Sequence, residues 1–443
     1  MKERIIAERT FDFTDLVLII GTNPLPNYVV AKYFIAFNRN LKRIWLIYSE
    51  NNDYYEGTGQ YAEDIKNVLE KELGRLRYSH VKFRFNALSN ISQADTIKKE
   101  SRKQLEGEKG SIKKVHLNYT GGTKAMAVHV YQALMEQWQA CFSASYLDAR
   151  DYRIRMDNDP EYDSDDLRNF IRLEWEDLFR IHNTKKMASG KEYIDKIDEK
   201  ALERIMQQIM ALASADKIHE IKEWEKKAKT LFENKSDEKH PQTIQETLSG
   251  FNSATHAELF SFLRSFPLYD QYVGDNGKWI YRNFKISGQS KNTPELVKFL
   301  SGTWLEAYVY WVMKQRIKQE KIHKSQLMSN LILRTLIGNG TYKAEIDVLI
   351  TNGYQICGIS CGTSPETKEL KAKGFEIILR SRQLGGDEAR AVLVTLLDTD
   401  KTIELYNDLK ASTGSGGDKF LVLGINDLTE EIMWRKLKKH IYK

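Results

Sequence analysis

Glu306, Glu345 and Asp347 are the residues of this sequence whose types and order could break a bond. Glu306 stands in GTWLEAYVYW, a helical pattern, and Glu345 and Asp347 stand in KAEIDVLI, a strand pattern. Side chains two apart on a strand point to the same side. Asp347 is followed by Val348, Leu349 and Ile350, so its carboxylate borders an apolar core and needs a partner or a metal there. Three carboxylates around one point would hold Mg2+ or Mn2+, which take oxygen ligands. A metal held there would activate water and offset charge on a phosphodiester. The plainer alternative pairs Glu306 with a lysine and leaves Glu345 and Asp347 at a solvated strand end.

A second group suits binding. In VHLNYTGGTKAMA the residues Asn118, Thr120, Gly121, Gly122, Thr123 and Lys124 fill a turn between an apolar strand and a helix. Two glycines let backbone N–H groups approach a ligand, and the helix start adds unpaired donors with positive partial charge. Hydroxyls and an ammonium complete a set suited to phosphate or another anion. The plainer alternative is a strand–helix turn in which threonine caps the helix. GTNPLPN closes the first strand with Gly21, Thr22, Asn23 and Pro24, and in an open sheet the two loops can meet. The phosphate-loop pattern GxxxxGK[ST] is absent, so simple nucleoside triphosphate hydrolysis is not supported.

The elements that must position these residues fall into three stretches. Residues 1–155 alternate strands (DLVLIIGT, RIWLIYSE, HVKFRFNAL, KKVHLNYT) with helices, which predicts a mainly parallel sheet covered on both faces. Residues 156–292 are lysine-rich and mainly helical, with loops at KHPQT and VGDNGKW and a winged-helix-like pattern over 257–284. Residues 293–443 return to mixed α/β character: a helix through Glu306, strands LILRTLIG, YKAEIDVLITN and YQICGISC, the helix KELKAKGFEIILRSRQL, strand ARAVLVTLLD, and a last strand and helix.

The totals allow two to four domains in 443 residues, and the formal charge of +6 permits an anionic partner without demanding one. No stretch approaches the ~20 apolar residues of a membrane span. The start, MKERIIAERTFDF, is charged where a signal peptide is apolar, and the three cysteines are too scattered for a disulfide framework or a zinc site. These features lead us to expect a reduced, cytoplasmic protein.

LIIGTNPLPN followed by LNYTGGTKAMA resembles the CARF domain, the CRISPR-associated Rossmann-like fold, over about the first third of the chain. The resemblance implies a homodimer that binds a cyclic oligoadenylate, cyclic tetra-adenylate foremost, across its axis. It implies a site lined by Gly21, Thr22, Asn23, Pro24, Asn118, Thr120, Gly121, Gly122, Thr123 and Lys124, with Ser49 and Thr58 as secondary candidates. The last third resembles the PD-(D/E)XK nuclease domains fused to CARF in CRISPR ancillary nucleases, chiefly through EIDVL and LGGDEARAVLV. That resemblance implies metal-dependent cleavage of DNA or RNA, with Mg2+ or Mn2+ on Glu306, Asp347 and Ser360.

One departure matters. Where the family carries (D/E)-x-K, this chain has Ser360, Cys361 and Gly362. Either the lysine has moved to the next helix, where Lys368, Lys371 and Phe375 share a face and Lys371 is the first choice, or the domain binds nucleic acid without cutting it. In the first case Glu345 or Glu306 supplies the second acid. Gln383 could position substrate or cap its helix, and Arg380 and Arg382 suit phosphate contacts. A third reading, in which the N-terminal domain degrades the ring itself, lacks a general base in the turn; His116 and His129 read as packing or surface residues.

Overall fold

The computed structural model describes residues 11–53, 55–75, 80–187, 199–223, 256–264, 302–337, 340–414 and 418–443. The chain opens with β1 (Asp15–Ile19), α1 (Leu25–Phe37), β2 (Arg43–Ser49), α2 (Gly59–Arg75), β3 (Lys82–Leu88), α3 (Ala94–Glu106), β4 (Val115–Asn118), α4 (Lys124–Trp138), β5 (Phe142–Asp148) and β6 (Arg153–Met156). The strands lie in the order β3-β2-β1-β4-β5-β6. The first five run parallel, and β6 turns back antiparallel on β5. After Asp15, β1 reads as an unbroken apolar run because helices cover both its faces. Leu16 and Leu18 pack toward α1 and α2, while Val17 and Ile19 pack toward α3 and α4.

Next come α5 (Trp175–Ile181), β7 (Thr184–Met187), α6 (Glu199–Ser214), α7 (Ala257–Arg264) and α8 (Trp304–Gln319). They are followed by β8 (Leu327–Ile337), β9 (Gly340–Asn352), β10 (Gln355–Gly362), α9 (Thr367–Gly385), β11 (Arg390–Thr395), α10 (Thr399–Thr413), β12 (Phe420–Leu423) and α11 (Glu430–Tyr442). The second sheet has the order β12-β11-β10-β9-β8-β7. β10, β11 and β12 are parallel, and the other pairs are antiparallel. Odd residues of β10 (Cys357, Ile359, Cys361) face α8 and α11, whereas Ile356 packs with the α9 residues Leu370 and Ile377.

Two features depart from the sequence reading. Thr184–Met187 belongs to the second sheet as its edge strand, although it falls within 156–292, read there as helical connector. α10 was passed over, yet the parallel pair β11–β12 needs a crossover of that kind. Asp398 caps it by accepting the Lys401 N–H at 2.9 Å. Of the winged-helix-like stretch 257–284, only α7 lies within the described residues, and KHPQT and VGDNGKW lie outside them.

A buried polar junction ties the two sheets together. The Gln355 amide donates to Tyr152 Oη at 2.6 Å and to the Glu388 carbonyl at 3.0 Å, and its oxygen accepts from Arg168 at 3.0 Å. The Arg168 guanidinium lies 3.7 Å from the centre of the Tyr152 ring. No described helix is long and apolar enough to cross a membrane.

Candidate functional site

The strand order reverses between β1 and β4, which are hydrogen-bonded neighbours. α1 and α4 leave from the carboxyl ends of these two strands, so two helix N-termini stand side by side at the switch point. The loops pack backbone to backbone there: a Cβ at Gly21 would lie 2.8 Å from the Gly122 nitrogen. A Cβ at Gly121 would lie 2.2 Å from the Ile19 carbonyl oxygen, and Gly122 has φ +76°. The meeting of GTNPLPN with NYTGGTK, expected from the sequence, is therefore a contact that only glycine permits.

The side chains of this turn divide into support and surface. Asn118 is buried, donates to Ser145 Oγ at 3.1 Å, and accepts from Thr120 Oγ1 at 2.7 Å. Thr120 Oγ1 also accepts the Leu147 N–H at 2.7 Å. Ser49 and Thr58 are buried and bond to each other, and Thr58 Oγ1 donates to the Ile20 carbonyl at 2.9 Å. These four hold the loops. Thr22, Gly122, Thr123 and Lys124 are exposed, and Thr123 caps α4 by accepting the Met126 N–H at 3.2 Å. Pro24 is buried at the start of α1. Asn27, which sequence reasoning did not select, is buried, donates to the Ile19 carbonyl at 3.0 Å and lies against Gly121.

His116 sits fully buried between Ser143 Oγ and Ser145 Oγ, each 2.8 Å from a ring nitrogen. Burial pushes its pKa down to about 3, so it is neutral and shut off from any ligand, in line with the packing role read from the sequence.

Asn23 reaches out of the first domain. Its oxygen accepts the Leu25 N–H at 3.0 Å, and its amide donates to the Arg382 carbonyl at 3.5 Å. A Cβ at Gly386 would lie 2.7 Å from the Asn23 amide nitrogen, so the switch-point loop touches the C-terminal end of α9 directly.

In the second sheet, Asp347 is buried, and its Oδ2 accepts the Cys361 N–H at 2.7 Å and the Ser360 hydroxyl at 3.1 Å. Glu306 lies half-buried in the first turn of α8. A Cβ at Gly302 would lie 3.4 Å from Thr363 Oγ1, so α8 begins beside the end of β10. Glu345 is exposed and lies on β9 beyond its last residue paired with β10, Val348, in the stretch paired with β8. Among the described residues no three His, Cys, Asp or Glu side chains gather where they could hold a metal ion. The three carboxylates expected at one point are not gathered as such a group there.

The lysine also differs. Lys371 is half-buried and its amine pairs with Asp408 of α10 at 2.9 Å. Lys373 is exposed, yet its amine donates to the Cys361 carbonyl at 2.9 Å, one peptide from the N–H that Asp347 accepts. The missing side chain at Gly362 makes room for it: a Cβ there would lie 2.4 Å from Leu370 and 3.4 Å from the Lys373 stem. Helical phase does not separate the two lysines: Lys373 stands three after buried Leu370 and four before buried Ile377, and Lys371 three before buried Gly374 and seven before buried Ile378.

Of the remaining candidates, Arg380 is buried and donates to Gln383 at 2.8 Å, and Arg382 pairs with Asp387 at 3.1 Å. The acids here that could hold a divalent ion are Asp347, a buried carboxylate, and Glu306, in the first turn of the neighbouring helix.

Residues 16–161 match the Card1 CARF domain. VC1899 from Vibrio cholerae is similar over 97% of this chain and 98% of its own, at 16% identity and a TM-score of 0.63. Can2 from Sulfobacillus thermosulfidooxidans, solved in complex with cyclic tetra-adenylate, is similar over 95% and 98%, at 14% identity and a TM-score of 0.59. At these identities the likeness is one of fold, and it runs through both halves of the chain. No curated protein matches the chain.

Proposed function

We propose that this chain is a cyclic-oligoadenylate-gated, metal-dependent nuclease of type III CRISPR defence. The observation that carries the reading is the switch point, where two helix N-termini and two glycine loops converge beside Lys124. Such a place attracts the phosphates of a ring without needing a bound metal. The Card1 CARF match, and the cyclic tetra-adenylate held by a protein of the same fold, support a ring of that class as the ligand. A ring shared across a twofold axis would make the working form a homodimer.

The cutting would fall to the second sheet, in a fold of the PD-(D/E)XK kind. Glu306, Asp347 and the Ser360 backbone would hold Mg2+ or Mn2+, which supplies an activated water and charge neutralisation. Asp347 is held in place by the Cys361 N–H and the Ser360 hydroxyl. Lys373 would offer its ammonium to the phosphodiester from the side of Cys361. Ring binding would act on this site through Asn23 and α9, by favouring one placement of that helix over another.

A second reading keeps the ring switch and drops the cleavage: the chain would bind nucleic acid under ring control. The absence of a three-acid cluster among the described residues and the two donors already on Asp347 favour it. Incubation of the full chain with DNA and RNA, with Mn2+, with and without cyclic tetra-adenylate or hexa-adenylate, separates the two. Ring-dependent cleavage that EDTA stops, and that Asp347→Asn lowers at least ~100-fold with ring affinity intact, is the expected result. Ring-dependent retention of nucleic acid with no cleavage would establish the second reading.

A further inference from the structure

The C-terminal end of α8 and one side of α11 border a groove of about 570 Å3, far along α8 from Glu306. Five cationic side chains line it, Arg316, Arg435, Lys438, Lys439 and Lys443, against the two acids Glu320 and Glu431. Two of these cations are already matched. Arg316 pairs with Glu430 at 2.7 Å, and Lys438 pairs with Glu320 at 2.7 Å. Glu320 also accepts the Trp434 indole N–H at 2.6 Å, so its charge is spent on the groove floor. Among the described residues no ion pair is found for Arg435, Lys439 or Lys443.

Arg435 and Lys439 stand at i and i+4 on the exposed face of α11, opposite the buried Met433, Leu437 and Ile441, and Lys443 follows four residues on, just past the helix end. Like charges at that spacing repel, so the stripe works against the helix. Favourable interaction with the helix dipole accounts for Lys439 in the last turn and not for Arg435, which lies further in. The stripe spans ~12 Å at 1.5 Å per residue. A nucleic-acid strand at ~3.4 Å per nucleotide would present three or four phosphates along it.

We infer that this groove docks the phosphate backbone of a nucleic-acid strand, at a site separate from Asp347. The inference rests on the nucleic-acid partner of the proposed function and holds whether or not the strand is cut. Arg316 lies ~15 Å along α8 from Glu306, so the groove would take the strand outside the scissile bond.

The test uses the full chain carrying Asp347→Asn, so that binding is read without hydrolysis. A fluorescent 20-nucleotide single strand, DNA and RNA in turn, is titrated by anisotropy between 50 and 200 mM KCl. Adding Arg435→Glu and Lys439→Glu should weaken binding at least ~10-fold and reduce the salt slope by about 1.4, at ~0.7 per phosphate contact. Arg435→Gln with Lys439→Gln carries the test if the charge reversals do not fold. Lys99→Glu with Lys103→Glu on α3 makes the same change in net charge and should leave binding as it was.

Unchanged affinity and slope in the groove variants overturn the inference, as does an equal loss in the α3 control. Competition by polyglutamate as effective as by unlabelled strand also overturns it, in favour of an acidic polypeptide. Cleavage by the unmutated chain is scored separately: groove-dependent binding without cleavage removes the nuclease and leaves the groove.

Discussion

Two lysines two residues apart on α9, Lys371 and Lys373, engage different neighbours. The first is tied to Asp408 of α10, and the second reaches the Cys361 carbonyl. Lys373→Ala should lower ring-dependent cleavage at least ~10-fold, the scale of losing one charge-stabilising donor. Lys371→Ala should stay within about 2-fold, since its exposed ion pair contributes little. Initial rates on one labelled strand check both, and equal losses would return the role to Lys371. Sequence patterns made Asp347 legible, because an acid before three apolar residues must be engaged. They did not reveal Glu345's exposure, which depends on where the pairing of β10 with β9 stops.

At the scale of elements, the turn before α4 depends on glycine for its shape and on threonine for its end. Thr123→Ala removes the cap and should cost about 1 kcal/mol in chemical denaturation. Gly121→Ala brings a methyl within 2.2 Å of the Ile19 carbonyl, so β1 and β4 must part where the loops meet. Its ring affinity, by calorimetry, should fall further than that of Lys124→Ala, which removes a charge and leaves the turn; the reverse order would make the turn a mere connection. The alternation of the first half was legible because strand and helix periods differ and the central strands are apolar runs. β7 was not: TKKM carries no apolar alternation, and only the partner strand β8 makes it a strand. α10 was missed because its core-facing residues, Thr402, Leu405 and Leu409, form a sparse stripe among polar neighbours.

At the scale of the molecule, buried titrating groups set opposing pH trends. Burial holds His116 near pKa 3, and His182 and His440 near 4, below their ordinary value of 6.5. Each contributes stability above pH 6.5 that is lost as the pH falls toward its folded value. Glu388, buried at the junction beside Gln355, is pushed the other way by desolvation, from 4.5 to about 7. Its contribution is full below pH 4.5 and is lost as the pH rises through 7. Glu388→Gln should therefore make the fall in Tm from pH 6.5 to 4.5 steeper than in the parent; an unchanged slope would mean that Glu388 titrates as an ordinary carboxylate. The junction that buries Glu388 also leaves α9 with one end on the switch-point loop and the other over β10. From Gly386 to Lys373 the helix runs ~20 Å. As a lever of that length, it would turn a tilt of about 3° at Asn23 into ~1 Å at the lysine amine, enough at a reacting centre to change a rate by ~100-fold.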